Sequence, residues 1–351
     1  MDSSKKIKVA INGLGRIGRA FLKTAMKEDR FKNRLEISAV NDLGDADNLA
    51  YLLKYDTAYG PSGLSVAAED GFLNIDGKKI RFLQIKDPSM LPWKDMEIDV
   101  VVESTGVFDS YEKSKVHLVA GAKRVVVSAP VKDNPADSGV AGATVLMGLN
   151  DDALKTCSIS SNASCTTNAA SPIIAIMQET IGIEKALLNT VHAYTATQSL
   201  VDSPAKKDFR RGRAAAQNIS PSSTGAAIAV TKVATELENF FDGIAIRVPV
   251  VTGSIVDLTF IAKRNTDTAE VNNILKKAAS EDRWKNIFTT TEEQLVSSDV
   301  IGSKYGSIAD LNFTRVVGGN LVKILAWYDN EVGYTYTLAD HVVRTGEFIG
   351  Q

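Results

Sequence analysis

The sequence predicts an α/β chain in two parts. A parallel sheet with helices on both faces comes first, and an α+β part built on a mostly antiparallel, mixed sheet follows. Three observations carry this reading. Over about the first 160 residues, short Val/Ile-rich runs alternate with segments of helical periodicity. From residue 164 the apolar runs lengthen and many alternate in polarity. The length of 351 residues corresponds to two or three domains at roughly 100–200 residues each.

Residues 8–12, 35–41, 99–103 and 124–128 are compact apolar runs closed by Gly, Asn, Asp or Pro. They are too short for buried helices and match strands covered on both faces. Between the first two, residues 17–27 place Ile17, Phe21 and Ala25 at helical spacing. Residues 111–120 form a second helical pattern, stopped by Gly121. Such alternation is the grammar of a parallel sheet. A strand at 156–160 then leads to a helix at 166–180, a strand at 186–193 and a polar, basic loop at 198–213. A helix pattern at 226–237 precedes long strands at 244–249, 254–263 and 321–328. Their alternation suits a sheet with one face open to water or to another subunit. The chain closes on a helical segment. The expected domains are 1–163 and 164–330, with the C-terminal helix, 331–351, packing back on the first.

With 44% hydrophobic and 23% charged residues the chain is ordinary globular material. Its 40 basic and 42 acidic residues leave a charge of −2, which excludes the broad basic surface of a nucleic-acid binder. Two cysteines exclude a disulfide framework and favour a reducing compartment. His117, His192 and His341 are too few for a multi-histidine metal centre, so no metal is expected. The short polar start lacks a secretory apolar stretch, and no run approaches the roughly 20 residues that span a bilayer. The expectation is a soluble cytoplasmic protein away from membranes.

Asn12-Gly13-Leu14-Gly15-Arg16-Ile17-Gly18 follows a strand and opens a helix, the context a dinucleotide-binding (Rossmann) turn requires. Gly13 allows the tight turn, Gly15 lets backbone approach a pyrophosphate, and Gly18 lets the helix lie close to the sheet. N–H groups at the helix start complete the anion site. Asp42, closing the second strand, suits the adenosine ribose hydroxyls, although its interval from the glycines exceeds the usual ~20 residues. A carboxylate there repels a 2′-phosphate and favours NAD over NADP. The alternative is a structural turn with Asp42 as a helix cap.

Cys165, in Ser161-Asn162-Ala163-Ser164-Cys165-Thr166-Thr167-Asn168, stands where a strand gives way to a helix. The positive end of the helix dipole favours thiolate, and its N–H groups suit an oxyanion. Cys157, inside the preceding strand, reads as an inert core residue. His192, ending its strand, is the candidate base, although spacing does not show that it reaches Cys165. His117, beside Lys115 in a helix pattern, reads as part of a solvated face, and His341 as structural.

Three features look built for anions. Ser222-Ser223-Thr224-Gly225 precedes an apolar helix pattern. Arg210, Arg211 and Arg213 bring three guanidinium groups together, either for phosphate or on a solvated or subunit-facing loop. Arg247, in an apolar run, needs a fixed anionic partner, either a carboxylate or a ligand.

These blocks resemble the glyceraldehyde-3-phosphate dehydrogenase family. Ala10–Arg19, Ser161–Asn168, His192–Thr195, Ser222–Ala227, Asp257-Leu258-Thr259 and Trp327-Tyr328-Asp329-Asn330-Glu331 fall in the family's order over nearly the whole chain. The resemblance implies NAD-dependent, phosphorylating oxidation of D-glyceraldehyde 3-phosphate to 1,3-bisphosphoglycerate, in glycolysis or gluconeogenesis. It implies that Cys165 forms the thiohemiacetal and thioester, with His192 as base. Family position puts Thr195 and Arg247 on the substrate phosphate and Ser164, Thr166, Thr224 and Gly225 on the attacking phosphate, with Arg211 nearby. It puts Arg16 and Ile17 on the pyrophosphate, Asp42 on the adenosine ribose and Asn330 on the nicotinamide amide. Lys86 and Ser128 align with further cofactor contacts. Homotetramers are usual in the family, with the Arg-rich loop reaching a neighbouring subunit's cofactor.

The chain departs from the family pattern in places. Residues 133–143 read as a surface insertion, Ile228 stands where Lys is common, and Val332 replaces Trp or Thr. Leu43 and Pro204 match the NAD-using type, while the small Ser203 leaves weak NADP use open. Two other readings remain. One is erythrose-4-phosphate dehydrogenase, which Asp42 argues against; the other is a binding role on the same fold.

Overall fold

A computed structural model describes residues 6–350. The chain divides into two compact units: the segment up to Ala163 together with that from Thr335 onward, and Ser164–Tyr334.

The first unit is built on nine strands: β1 (Ile7–Asn12), β2 (Leu35–Asn41), β3 (Val66–Glu69), β4 (Phe72–Ile75), β5 (Lys78–Leu83), β6 (Val100–Glu103), β7 (Arg124–Val127), β8 (Gly142–Thr144) and β9 (Ile159–Ser161). They lie in the order β3-β4-β5-β2-β1-β6-β7-β9-β8. Strands β5 through β8 in that order are parallel. Val100, Val101, Val102, Val125 and Val126 have no exposed surface, as strands sandwiched between helices require. The helices are α1 (Arg16–Lys27), α2 (Asp29–Lys32), α3 (Ala46–Lys54), α4 (Tyr111–Val119) and α5 (Pro135–Ser138).

Strands β3, β4 and β5 add an antiparallel meander that the pattern reading passes over. Its two-residue turns are Asp70-Gly71 and Asp76-Gly77, with φ of 50° and 77° in the first and 49° and 79° in the second. Two positive φ angles in succession define the hairpin turn whose twist matches that of the flanking strands. Residues 133–143 are docked as well as superficial. The Asp133 carboxylate accepts from the N–H groups of Tyr111 and Glu112 at 2.8 and 3.0 Å, and β8 pairs with β9.

His117 corrects the sequence reading. It is fully buried, because α4 turns Tyr111, Ser114 and His117, spaced by three, toward the sheet. His341 lies in the segment returning to this unit. Its Nδ1–H donates to Asn162 Oδ1 at 3.0 Å, and its Nε2 accepts from the Ser160 hydroxyl at 2.7 Å.

The second unit carries seven strands: β10 (Ile183–Ala193), β11 (Ser220–Ser223), β12 (Phe241–Val248), β13 (Ser254–Ala262), β14 (Phe288–Thr291), β15 (Ser307–Val317) and β16 (Leu321–Tyr328). Their order is β11-β12-β10-β13-β16-β15-β14. The pairs β10/β12 and β14/β15 are parallel and the other four antiparallel, as expected of a mixed sheet. Helices α6 (Cys165–Thr180), α7 (Ala226–Thr231) and α8 (Thr268–Ala279) belong to this unit, and α9 (Val332–Glu347) begins in it. Helix α7 is shorter than the 226–237 pattern; Val230, Thr231 and Val233 crowd β-branched side chains where it ends. Ser222 and Ser223 accordingly lie on a strand, and Gly225 is the N-cap of α7.

Candidate active site

In the first unit, the C-terminal ends of β1, β2 and β6 open into a cavity of about 580 Å³. Gly13, Gly15, Asp42, Lys86, Ser104 and Thr105 are among its lining residues. Gly13 has φ of 95°, and a Cβ there would meet the Thr105 nitrogen at 2.7 Å. A Cβ on Gly18 would come within 2.1 Å of the Gly13 carbonyl oxygen, so α1 lies on the turn only because both residues lack one. Gly15 is the N-cap of α1 and offers no side chain to its first N–H groups.

Asp42 holds the turn in place. Its two carboxylate oxygens accept from Leu14 N at 2.6 Å and Gly44 N at 2.7 Å, one each. Each oxygen keeps a lone pair for a ribose hydroxyl. Asp42 is not a helix cap; Asp45 caps α3, accepting from Asn48 N at 2.9 Å. Uncapped helix N–H groups, a glycine turn and a carboxylate on one cavity form a donor set that fits a dinucleotide. The Arg16 guanidinium instead binds both oxygens of Asp56, each at 3.2 Å, and Arg16, Ile17 and Gly18 are not among the lining residues. Ser128 follows β7 and is not among the lining residues.

In the second unit, Ser164 caps α6 by accepting from Thr167 N at 3.1 Å, which sets Cys165 as the first helical residue. β10 delivers His192 to it: Cys165 Sγ and His192 Nε2 stand 3.3 Å apart. On the ring's other side, Nδ1 lies 2.6 Å from both the Ala193 carbonyl oxygen and Arg247 Nη1. Arg247 arrives because β12 pairs in parallel with β10, putting Arg247 opposite His192. Burial pushes the thiol up to about 11, against the pull of Arg247 and the Thr166 N–H. Burial, then the Arg247 charge, pushes His192 down to about 3. Both push toward an uncharged thiol–imidazole pair. Cys157 is a buried, free thiol, also raised by burial.

Arg211 and Arg247 share a narrow depression with Thr197, Gln198, Ser220 and Ser222. Arg210 and Arg213 are held at the surface by Asp208 and Asp202, each at 2.8 Å, so only one of the three clustered guanidinium groups turns inward. Ser164, Thr166, Thr195, Thr224 and Gly225 do not line that depression. The Thr195 hydroxyl meets Thr197 at 2.9 Å, and Thr224 accepts from Ala226 N at 3.2 Å. Asn330 turns its amide oxygen inward, accepting from Gly253 N at 3.1 Å and Ser254 Oγ at 2.9 Å. Its NH₂ has no partner among the described residues and is left to donate.

Tyr328 escapes the sequence reading as a site residue. Its hydroxyl bridges Thr166 at 3.0 Å and Thr190 at 2.8 Å, and its ring meets His192 edge-on at 6.0 Å. Its only signal is alternation: along β16, Tyr328 is a buried position.

The family model described as glyceraldehyde 3-phosphate dehydrogenase, NAD binding domain, matches residues 7–111, and that of the C-terminal domain matches residues 164–330. Glyceraldehyde-3-phosphate dehydrogenase of Streptomyces coelicolor is 43% identical over 342 residues, covering 97% of this chain and 98% of its own. Glyceraldehyde-3-phosphate dehydrogenase 1 of Candida glabrata is 44% identical over 338 residues, covering 96% and 98%. The Bacteroides fragilis enzyme of the same name is 45% identical over 329 residues, covering 94% and 96%.

Proposed function

The chain belongs to the glyceraldehyde-3-phosphate dehydrogenase family, and from that premise we propose that it oxidises D-glyceraldehyde 3-phosphate with NAD and inorganic phosphate to 1,3-bisphosphoglycerate. The observation that carries the proposal is Cys165 Sγ at 3.3 Å from an imidazole held uncharged by burial. In the tautomer whose Nδ1–H donates to Ala193 O, Arg247 Nη1 donates to that same carbonyl at 3.0 Å and not to Nδ1. Nε2 takes the thiol proton as sulfur bonds the aldehyde carbon, and returns it to the new oxygen. His192 then removes the hydroxyl proton as the thiohemiacetal is oxidised to a thioester. NAD, held by the glycine turn and Asp42, would supply the hydride acceptor. Phosphate attacks the thioester, and the Cys165 thiolate leaves. The N–H groups at the start of α6 face the carbonyl oxygen in each tetrahedral species.

In this reading Arg247 and Thr195 hold the substrate phosphate, and Ser164, Thr166, Thr224 and Gly225 hold the attacking phosphate, with Arg211 beside them. Residues 1–163 with the C-terminal segment 331–351 form the NAD-binding domain, and 164–330 the catalytic domain. Asp42 takes the adenosine ribose, Lys86 and Ser128 add contacts, and Asn330 donates to the carboxamide. We further infer a homotetramer in the cytoplasm. Exposed Leu187 and Ile244 on the sheet, and Leu200, Val201 and Phe209 on the loop, support contact with further copies; both cysteines are free thiols, as a reducing compartment favours.

NADH formation from glyceraldehyde 3-phosphate should require inorganic phosphate. Turnover indifferent to phosphate would sink the phosphorylating mechanism, and faster turnover of erythrose 4-phosphate would replace the substrate.

A further inference from the structure

Beneath the cavity of the first unit lies a buried polar cluster that the proposed chemistry does not use. At its centre is Glu103, the last residue of β6, with its side chain 1% exposed. Glu103 Oε1 accepts from the backbone N–H of Thr105 at 2.8 Å and from the Thr105 hydroxyl. Oε2 accepts from Asn12 Nδ2 at 2.6 Å and lies 3.0 Å from His117 Nε2. Asn12 is in turn held by Asn41, whose Nδ2 donates to Asn12 Oδ1 at 2.8 Å.

The imidazole has one tautomer available in this setting. Trp93 Nε1 can only donate, and it points at His117 Nδ1 at 3.2 Å. Nδ1 therefore accepts, the ring proton sits on Nε2, and it is donated to Glu103. Trp93 and His117 have no exposed surface, so the chain Trp93–His117–Glu103 reaches the cavity floor entirely through protein.

The two carboxylate oxygens grip opposite sides of one structure. Asn12 immediately precedes Gly13, and residues 104–105 form a strap lying directly against Gly13, where a Cβ would meet Thr105 N at 2.7 Å and Ser104 C at 2.8 Å. Ser104 fastens the strap by donating to Gly13 O at 2.7 Å. We infer that Glu103, oriented by His117 and Trp93, is a positioning residue that clamps strap and glycine turn together for a dinucleotide's pyrophosphate. This rests on the dinucleotide reading of the cavity. It adds a device that touches no ligand and acts through Asn12 and Thr105, at the opposite end of the turn from the Asp42 carboxylate.

The isosteric substitution Glu103→Gln separates this role from bulk stability. An amide must present its NH₂ either to Thr105 N–H or to the Asn12 and His117 donors, so one side of the clamp opens. Binding of NAD would be measured by calorimetry, and that of adenosine, which lacks the pyrophosphate, by ligand-observed NMR. The expected result is about a tenfold loss for NAD, the scale of one misplaced buried hydrogen bond, and adenosine affinity within about twofold. Faster amide exchange over residues 12–18 should accompany it. Equal losses for both ligands, or an unchanged NAD affinity, would overturn the inference whatever happens to the melting temperature. Should Glu103→Gln not fold, Trp93→Phe frees His117 Nδ1 from outside the cavity. It should show the same selective loss at about two- to threefold, and a loss shared by adenosine would overturn the inference. An unaltered chain that binds neither ligand would remove the dinucleotide reading, and the inference with it.

Discussion

Cys165 Sγ and His192 Nε2 have one proton between them, and burial sets its resting place on sulfur. In the proposed mechanism His192 is the group that takes the proton when sulfur attacks. Replacing it by Asn leaves the burial and removes the acceptor, so alkylation of Cys165 by iodoacetamide at neutral pH should slow about tenfold or more. Cys157, buried in both proteins, should label more slowly throughout; an unchanged Cys165 rate would remove His192 as the proton acceptor. Each partner is legible in the sequence as a type of position, a cysteine opening a helix and a histidine ending a strand. Their meeting is not, because it depends on β10 running beside α6 across 27 residues of separation. His117 is misread for a related reason. The buried face of α4 consists of Tyr111, Ser114 and His117, so a polarity pattern sees no apolar stripe.

At the level of elements, the glycines divide into those set by conformation and those set by contact. Gly77 has φ of 79° and open space around it, so Gly77→Ala should cost about 1 kcal/mol in urea unfolding and leave NAD affinity unchanged. At Gly18 a Cβ meets the Gly13 carbonyl oxygen at 2.1 Å, and α1 or the turn must move. Gly18→Ala should cost about 3 kcal/mol and abolish measurable NAD binding; a mild effect would mean that the close approach is not needed. The parallel strands are legible because burial on both faces writes them as continuous Val runs. The β3–β5 meander is less so: its strands are four to six residues long, half-exposed and weakly alternating. The two Asp-Gly pairs are its readable signal.

Across the whole molecule, stability should carry the mark of Asp340. Burial, with the Asp151 charge adding to it, raises this carboxyl to about 6 despite its ion pair with Arg30. The native state thus holds a proton that the unfolded chain, titrating near 3.8, has released. That contribution is present below about pH 4 and is lost as pH rises through about 6, up to about 3 kcal/mol. Asp340→Asn should gain stability relative to the unaltered chain over the same window, read as urea midpoints at each pH. A difference independent of pH would contradict the raised carboxyl. The two-part architecture is legible from the change of pattern near residue 164, whereas this ionisation is not, since it depends on α2 and α9 meeting across 310 residues.

The return of the C-terminal helix also orders events in time. His341 joins Ser160 and Asn162 across separations of 181 and 179 residues. During synthesis the first sheet emerges long before the helix that completes it. Until that helix has left the ribosome, Ser160 and Asn162 lack their partner, and the first unit cannot reach its final packing. The second unit, contiguous from Ser164 to Tyr334, has no such wait. The part of the chain made first is therefore the last to be finished, and chaperones meeting the nascent chain would find their exposed surface there.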